Sequence, residues 1–123
     1  MARILVIDDD ELVLESVQIV LEDDGHEVGV AENGKVGLEL LGQQGFDLVI
    51  TDIFMPEKEG IETLIDIKQI DQSIRVLVIS GGGRDAEQIM YLEQAEMLGA
   101  DATLAKPFLT SELKQAVNRL LNS

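Results

Sequence analysis

The chain has 123 residues, with 9 Lys and Arg against 24 Asp and Glu, a formal net charge of -15 and no cysteine. This length predicts one domain spanning residues 1–123 that buries its own core, and the lack of cysteine excludes a thiol nucleophile and a cysteine-based zinc site. The charge opposes contact with a phosphate backbone, and the apolar runs are too short for a bilayer, so we expect a soluble, cytoplasmic protein that binds neither nucleic acid nor membrane directly.

Short apolar segments alternate with longer amphipathic ones along the whole chain. In chain order they predict strand Arg3–Ile7, helix Glu11–Asp23, strand Glu27–Ala31, helix Gly34–Gln43, strand Asp47–Thr51, helix Lys58–Ile70, strand Ile74–Ile79, helix Arg84–Leu98, strand Ala102–Ala105 and helix Ser111–Leu121. Several strands are apolar without alternation, which is typical of strands covered on both faces. The pattern predicts an α/β fold, a flavodoxin-like doubly wound sheet of five parallel strands in the order 2-1-3-4-5 with five helices.

The predicted helices are bounded by residue types that commonly begin or end helices. Residues suited to N-caps are Asp10, Asn33 and Thr110. Glycines placed where a left-handed C-cap would stand are Gly25, Gly45 and Gly99. These positions support the predicted helix boundaries.

Polar side chains follow four of the five predicted strands. Asp8 and Asp9 follow the first strand, Asp52 the third, Ser80 the fourth and Lys106 the fifth. In the predicted order the first and third strands are neighbours, and ligands of this fold bind beyond their carboxyl ends. Two carboxylates about 4 Å apart repel by roughly 4 kcal/mol at an effective dielectric of about 20. Protonation would relieve part of this repulsion, but Mg²⁺ would do so at neutral pH and prefers oxygen ligands.

Together these groups are the parts needed to transfer a phosphoryl group to a carboxylate. Asp52 would be the nucleophile and would form an aspartyl phosphate, while Mg²⁺ would offset the charge of the transferred group. Lys106 adds a pointlike positive charge suited to a phosphoryl oxygen or to Asp52 itself. Ser80 would donate to a phosphoryl oxygen after transfer, which would couple the chemistry to a change of shape.

The segments at the strand ends resemble those of the receiver domain of bacterial two-component response regulators, in the stand-alone form that has no output domain. The matching segments are VIDDD at 6–10, DIFMPEKEG at 52–60, Ser80 after an apolar strand, and KPF at 106–108. Each segment alone is a weak signal, whereas their order, spacing and placement make the combined match specific. The resemblance covers essentially the whole chain.

The resemblance implies a role for each matching residue in a phosphorelay. Asp52 accepts the phosphoryl group from a phosphohistidine on a sensor histidine kinase or a histidine phosphotransfer protein. Mg²⁺ is held by Asp52, by Asp9 directly, by Asp8 mainly through a water on the ion, and by the backbone carbonyl of Phe54. Such a domain modifies itself and is not a turnover enzyme. It passes the signal to a downstream protein target, and a homodimer is compatible with this role.

The resemblance also bears on the segment around Lys106. Lys106 contacts the phosphate, and the peptide bond between Lys106 and Pro107 is expected to be cis, which costs little before proline. Relatives commonly carry Tyr or Phe three residues before the lysine, where this chain has Thr103. An aromatic switch is therefore absent, and we expect Ser80 and Thr103 to act through movement of the backbone or of the fourth helix.

Two other classes of function stay open on the sequence. A metal-dependent phosphohydrolase also uses an aspartyl phosphate, but Phe54 stands where such an enzyme has a second aspartate, and no inserted segment forms a substrate cap. A binding scaffold without the chemistry is disfavoured by the intact acidic residues, Ser80 and Lys106. The change at Thr103 keeps that alternative open.

Overall fold

The computed structural model describes residues 1–53, 60–80 and 86–122 of the chain. Strands and helices alternate along these residues. They are β1 Arg3–Ile7, α1 Glu11–Asp23, β2 Glu27–Ala31, α2 Gly34–Gln43, β3 Leu48–Asp52, α3 Gly60–Ile70, β4 Arg75–Ser80, α4 Ala86–Met97, β5 Ala102–Ala105 and α5 Thr110–Leu121. Within this part of the chain, none of the helices has the length and apolar character needed to cross a membrane.

The strands form one sheet in the order β2-β1-β3-β4-β5, and every neighbouring pair is parallel. The predicted flavodoxin-like α/β fold is therefore confirmed. The pairing of β1 with β3 ends at Ile7 opposite Thr51, and the pairing of β3 with β4 ends at Asp52 opposite Ile79. The carboxyl ends of the central strands thus stop at the same edge of the sheet, and the polar residues at those ends are brought to one place.

Two strands lie one residue later than their sequence patterns predicted. β3 begins at Leu48 and ends at Asp52, and β4 ends at Ser80 because Ser80 still pairs with Ala105 of β5. Asp52 and Ser80 are consequently the last residues of their strands rather than the first residues of loops. The predicted helix starts at Lys58 and Arg84 lie outside the described residues.

A hydrophobic core lies on each face of the sheet. Buried side chains of α2, α3 and α4 that pack on one face are Leu41, Leu64, Ile67 and Ala95. Buried side chains of α1 and α5 that pack on the other face are Leu14, Val17, Leu21, Leu113, Val117 and Leu120. Helices therefore cover the sheet on both sides, which explains why the central strands are apolar without alternation.

The helix ends confirm some of the predicted caps and correct others. The Asp10 carboxylate accepts from the Leu12 N–H, and the Asn33 side chain accepts from the Val36 N–H. Gly25 and Gly99 have positive φ angles of 91° and 113°, as left-handed C-caps require.

The predictions for Thr110 and Gly45 are wrong. Thr110 is the first residue of α5, and the preceding Leu109 is held by its own N–H, which donates to Glu112 at 2.8 Å. Gly45 is not needed as a left-handed cap because the chain leaves α2 through Gln44 in an extended conformation. The Glu112 carboxylate thus takes the place of a Thr110 cap at the start of α5, and an extended Gln44 takes the place of a left-handed Gly45 at the end of α2.

Candidate functional site

Three carboxylates from two neighbouring strands meet at the carboxyl edge of the sheet. One oxygen from each of Asp8, Asp9 and Asp52 lies within 4.8 Å of the others. Asp8 and Asp52 are only 1% and 5% exposed, whereas Asp9 is open to solvent. The site is therefore an acidic pocket in which two of the three carboxylates are buried and the third is accessible to solvent.

Lys106 reaches this pocket from the edge of the sheet. Its Nζ donates to Asp8 Oδ2 at 2.9 Å and to Asp52 Oδ2 at 3.0 Å. The lysine follows β5 directly, its backbone N–H donates to the Ser80 carbonyl at 2.9 Å, and its peptide bond to Pro107 is cis. A single ammonium thus bridges the two buried carboxylates and offsets part of their mutual repulsion.

Asp8 is fixed by its neighbours on both carboxylate oxygens. Oδ1 accepts from the Asp10 N–H at 2.9 Å, while Oδ2 accepts from Lys106. Asp10 in turn caps α1 through its own carboxylate. The turn between β1 and α1 therefore orients the Asp8 carboxylate in the acidic pocket.

Burial and charge act in opposite directions on the groups in this pocket. Burial raises the pKa of the Asp8 carboxyl, and the opposing bonds from the Asp10 N–H and from Lys106 do not cancel this rise. Burial alone would lower the pKa of the Lys106 ammonium, but the bonds and charges of Asp8 and Asp52 outweigh it and raise that pKa. The pocket therefore keeps its lysine charged and makes the ionised form of Asp8 costly.

Replacing Asp8 by Asn is expected to stabilise the protein in the absence of divalent cations. Because folding raises the pKa of Asp8, the stabilising contribution of this carboxyl is complete below its ordinary pKa and is lost as pH rises through the raised value. Asp8→Asn should therefore increase the free energy of unfolding at pH 7, and the gain should vanish in acid. Urea unfolding in a chelator from acid to neutral pH measures the difference, and a gain that grows as pH falls would contradict it.

The other residues expected at the site occupy different positions around it. Ser80 is 1% exposed at the end of β4, opposite Ala105. Thr103 lies two residue pairs further into the sheet, half-buried and opposite Val78. The Phe54 carbonyl, expected as a metal ligand, lies outside the described residues.

Two residues that lie close to the Asp52 backbone were not predicted from the sequence to have a role at the site. The Thr51 hydroxyl donates to the Asp52 backbone carbonyl at 3.1 Å. Gly60 packs so closely that a Cβ there would lie 2.3 Å from the same carbonyl oxygen. Gly60 ends the quoted segment DIFMPEKEG, and Thr51 interrupts an otherwise apolar strand, but neither signal specifies a contact with Asp52.

Comparison with known proteins shows which family has this arrangement. The sequence model described as the response regulator receiver domain matches residues 4–118. The chain belongs to that family. Receiver domains are the parts of two-component response regulators that interact with histidine kinases and phosphotransfer proteins; they bind Mg²⁺ at an acidic pocket and are signalling proteins rather than turnover enzymes.

Relatives of this receiver domain include both short and long proteins. Chemotaxis protein CheY of Bacillus subtilis is 37% identical over 121 residues, which cover 98% of each chain. Transcriptional regulatory protein CpxR of Escherichia coli K12 is 36% identical over 121 residues, which cover 98% of this chain and 50% of CpxR. The chain thus spans nearly the whole length of CheY and about half the length of CpxR. It also spans about half the length of further transcriptional regulatory proteins.

Solved structures of receiver domains superpose closely on this one. A response regulator receiver domain protein from Clostridium thermocellum has a TM-score of 0.85 at 34% identity, and the match covers 99% of this chain and 95% of that one. NtrX from Brucella abortus, crystallised with ADP, has a TM-score of 0.92 at 30% identity over 98% of this chain and 27% of that one. The similarity therefore extends over the whole fold.

Proposed function

We propose that residues 1–123 form a cytoplasmic receiver domain, which accepts a phosphoryl group on Asp52 and switches the binding of a downstream protein. The observation that carries this proposal is the placement of Asp52. Its carboxylate is nearly buried, lies within 4.8 Å of oxygens of Asp8 and Asp9, and is bonded to Lys106 at 3.0 Å. A carboxylate with neighbouring acids that can hold a cation, and with an ammonium bonded to it, is suited to accept a phosphoryl group.

The proposed transfer step uses this geometry. A carboxylate oxygen of Asp52 attacks phosphorus, a new P–O bond forms, and the P–N bond of the donor phosphohistidine breaks. The imidazole leaves with the electron pair and is protonated. Lys106 then balances charge on the phosphoryl oxygens, since its Nζ already lies beside Asp52, and Ser80 donates to one of those oxygens. Asp52 is therefore both nucleophile and phosphorylation site, and the domain catalyses its own modification without turnover of a separate substrate.

The donor set fits Mg²⁺. Carboxylate oxygens are the ligands that Mg²⁺ prefers, and it needs only a few of them from the protein. Asp9 and Asp52 would hold the ion, with Asp8 alongside and the Phe54 carbonyl as a backbone ligand. When bound, Mg²⁺ would neutralise charge on the transferred group. Lys106, which is also bonded to Asp8, keeps the Asp52 carboxylate oriented for this role.

A shallow groove beside the site supports an interaction with a phosphohistidine protein. It has a volume of about 530 Å³ and runs between α1 and the segment that follows β5; it is lined by Leu12, Val13, Ser16, Val17, Lys106, Pro107 and Phe108. Its lining is largely apolar, and one end is Lys106 itself. A sensor histidine kinase or histidine phosphotransfer protein that packs on this groove would present its phosphohistidine to Asp52.

The change of partner binding would begin at Ser80 and Thr103. Ser80 is the last residue of β4 and Thr103 lies on the adjacent strand, so a movement of Ser80 toward phosphoryl oxygens displaces the end of β4 beside β5. Because Thr103 is small, this movement is transmitted by the backbone or by α4 rather than by an aromatic ring. The downstream target binds the surface that these elements form, and a second copy of the chain is one such target.

Incubation of the wild-type protein with Mg²⁺ and acetyl phosphate tests the proposed function. We expect a mass increase of one phosphoryl group that depends on Mg²⁺ and disappears in excess chelator. Transfer from a phosphorylated histidine kinase should give the same product. A protein that gains no mass under conditions that phosphorylate a known receiver domain would contradict the proposal.

A further inference from the structure

We infer that Thr51 is a positioning residue for the Asp52 carboxylate; this inference rests on the proposed function because it concerns the residue that accepts the phosphoryl group. Thr51 directly precedes Asp52 and is 0% exposed. Its hydroxyl donates to the Asp52 backbone carbonyl at 3.1 Å. The side chain therefore holds the peptide that carries the proposed nucleophile.

The hydrogen bond from Thr51 to the Asp52 carbonyl lies where one neighbouring strand no longer pairs with β3. On the β4 side, the paired register of β3 continues as far as Asp52 opposite Ile79. On the β1 side, it stops one residue earlier, at Ile7 opposite Thr51. The Thr51 hydroxyl thus adds a bond to the Asp52 peptide at the point where the β1 ladder has ended.

The same carbonyl is also in contact with the start of α3. A Cβ on Gly60 would lie 2.3 Å from the Asp52 oxygen, so the helix begins directly against this peptide. The peptide is therefore confined between the Thr51 hydroxyl and α3. A rotation of that peptide would turn the Asp52 side chain away from Lys106 and the other carboxylates, and phosphoryl transfer depends strongly on such placement.

Packing alone does not explain a threonine at this position. Thr51 lies on the same face of β3 as Val49, and Ile53 follows two residues later; both belong to the apolar core. Valine has nearly the same shape and would bury no hydroxyl. A hydroxyl at a fully buried position is costly unless it is bonded, and the Thr51 hydroxyl is bonded to the Asp52 carbonyl.

Thr51→Val and Thr51→Ser separate the hydroxyl from the packing. Thr63→Val is the matched control, since Thr63 is a fully buried threonine on α3. For Thr51→Val we expect the rate of Mg²⁺-dependent phosphorylation by acetyl phosphate to fall about tenfold and the Mg²⁺ affinity, measured by calorimetric titration, to fall about threefold. Thr51→Ser should stay within about twofold of the wild type in both measurements. Urea unfolding of all three variants shows whether their losses of stability are comparable.

Each result decides the inference. Wild-type values for Thr51→Val would overturn it, and so would an equal defect in Thr51→Ser, because packing rather than the hydroxyl would then be responsible. A defect in Thr63→Val as large as that in Thr51→Val would also overturn it, because the cause would be general loss of stability. Failure of the proposed function is distinguishable, since it shows as a wild-type protein that takes no phosphoryl group. In that case the Mg²⁺ affinities of the Thr51 variants still decide the inference.

Discussion

Asp52→Asn is expected to reduce phosphorylation by acetyl phosphate by at least about 100-fold, which removes the measurable product. The amide has nearly the shape of the carboxylate and can still accept a hydrogen bond from Lys106, but its oxygen is a far weaker nucleophile and it cannot form the acyl phosphate. The side chain is nearly buried at the end of β3, so an isosteric change is the one that least disturbs its surroundings. Intact-protein mass spectrometry after incubation with Mg²⁺ measures the loss.

Asp47→Asn is the matched control for this substitution. Asp47 lies just before β3, is exposed, and accepts from the Arg3 N–H, a bond that an amide oxygen can keep. The control makes the same change of charge outside the acidic pocket and should leave phosphorylation unchanged. If Asp52→Asn gains a phosphoryl group at the wild-type rate, another residue is the nucleophile and the assignment of Asp52 is wrong.

Gly60→Ala is expected to lower the free energy of unfolding by about 2–3 kcal/mol and to impair phosphorylation. The added Cβ would lie 2.3 Å from the Asp52 carbonyl oxygen and 2.4 Å from Ile53 Cα. Both atoms belong to the backbone, so they cannot move aside as the end of a side chain can. The start of α3 must shift, and the peptide that carries Asp52 must shift with it. Urea unfolding and the acetyl phosphate assay measure the two effects.

Two glycines of α2 provide comparison variants for this prediction. A Cβ on Gly37 would meet the Cδ1 of Ile7 at 2.4 Å, which is the end of a flexible side chain, whereas a Cβ on Gly42 would have no neighbour within 4 Å. Gly37→Ala should therefore cost less than Gly60→Ala, and Gly42→Ala should stabilise the protein by about 0.5–1 kcal/mol through helix propensity. If all three variants lose equal stability, close approach to the Asp52 backbone is not the cause.

Local residue patterns were sufficient to predict the elements and their order. Apolar runs such as 76–79 and amphipathic segments such as 11–23 repeat in a regular alternation, and the alternation itself favours parallel strands with helices on both faces. The errors fall at element ends. β3 and β4 each extend one residue further than their apolar runs because Asp52 and Ser80 still have partners in the neighbouring strands. Strand pairing is a property of two segments, and one segment alone does not reveal it.

Helix caps also differ in whether the sequence of one segment predicts them. Asp10 and Asn33 were predictable because each side chain bonds to an N–H two or three residues ahead in the chain. Leu109 was not, since its position depends on a bond from its backbone N–H to Glu112. When the N-cap side chain itself makes the bond, its residue type is the signal; at Leu109 the signal lies three residues later, in Glu112, whose carboxylate accepts from the Leu109 N–H.

The sequence by itself determined the fold class, the family resemblance and the identities of the acidic residues, Ser80 and Lys106, because strand ends in this topology share one edge. Only the tertiary structure decided how these groups are held. In the folded chain, Lys106 lies between Asp8 and Asp52 and bonds to both. The Thr51 hydroxyl donates to the Asp52 carbonyl, and Gly60 packs closely against the same carbonyl. Those contacts depend on distances between segments far apart in the chain and on the space that packing leaves, and neither quantity can be deduced from local residue patterns.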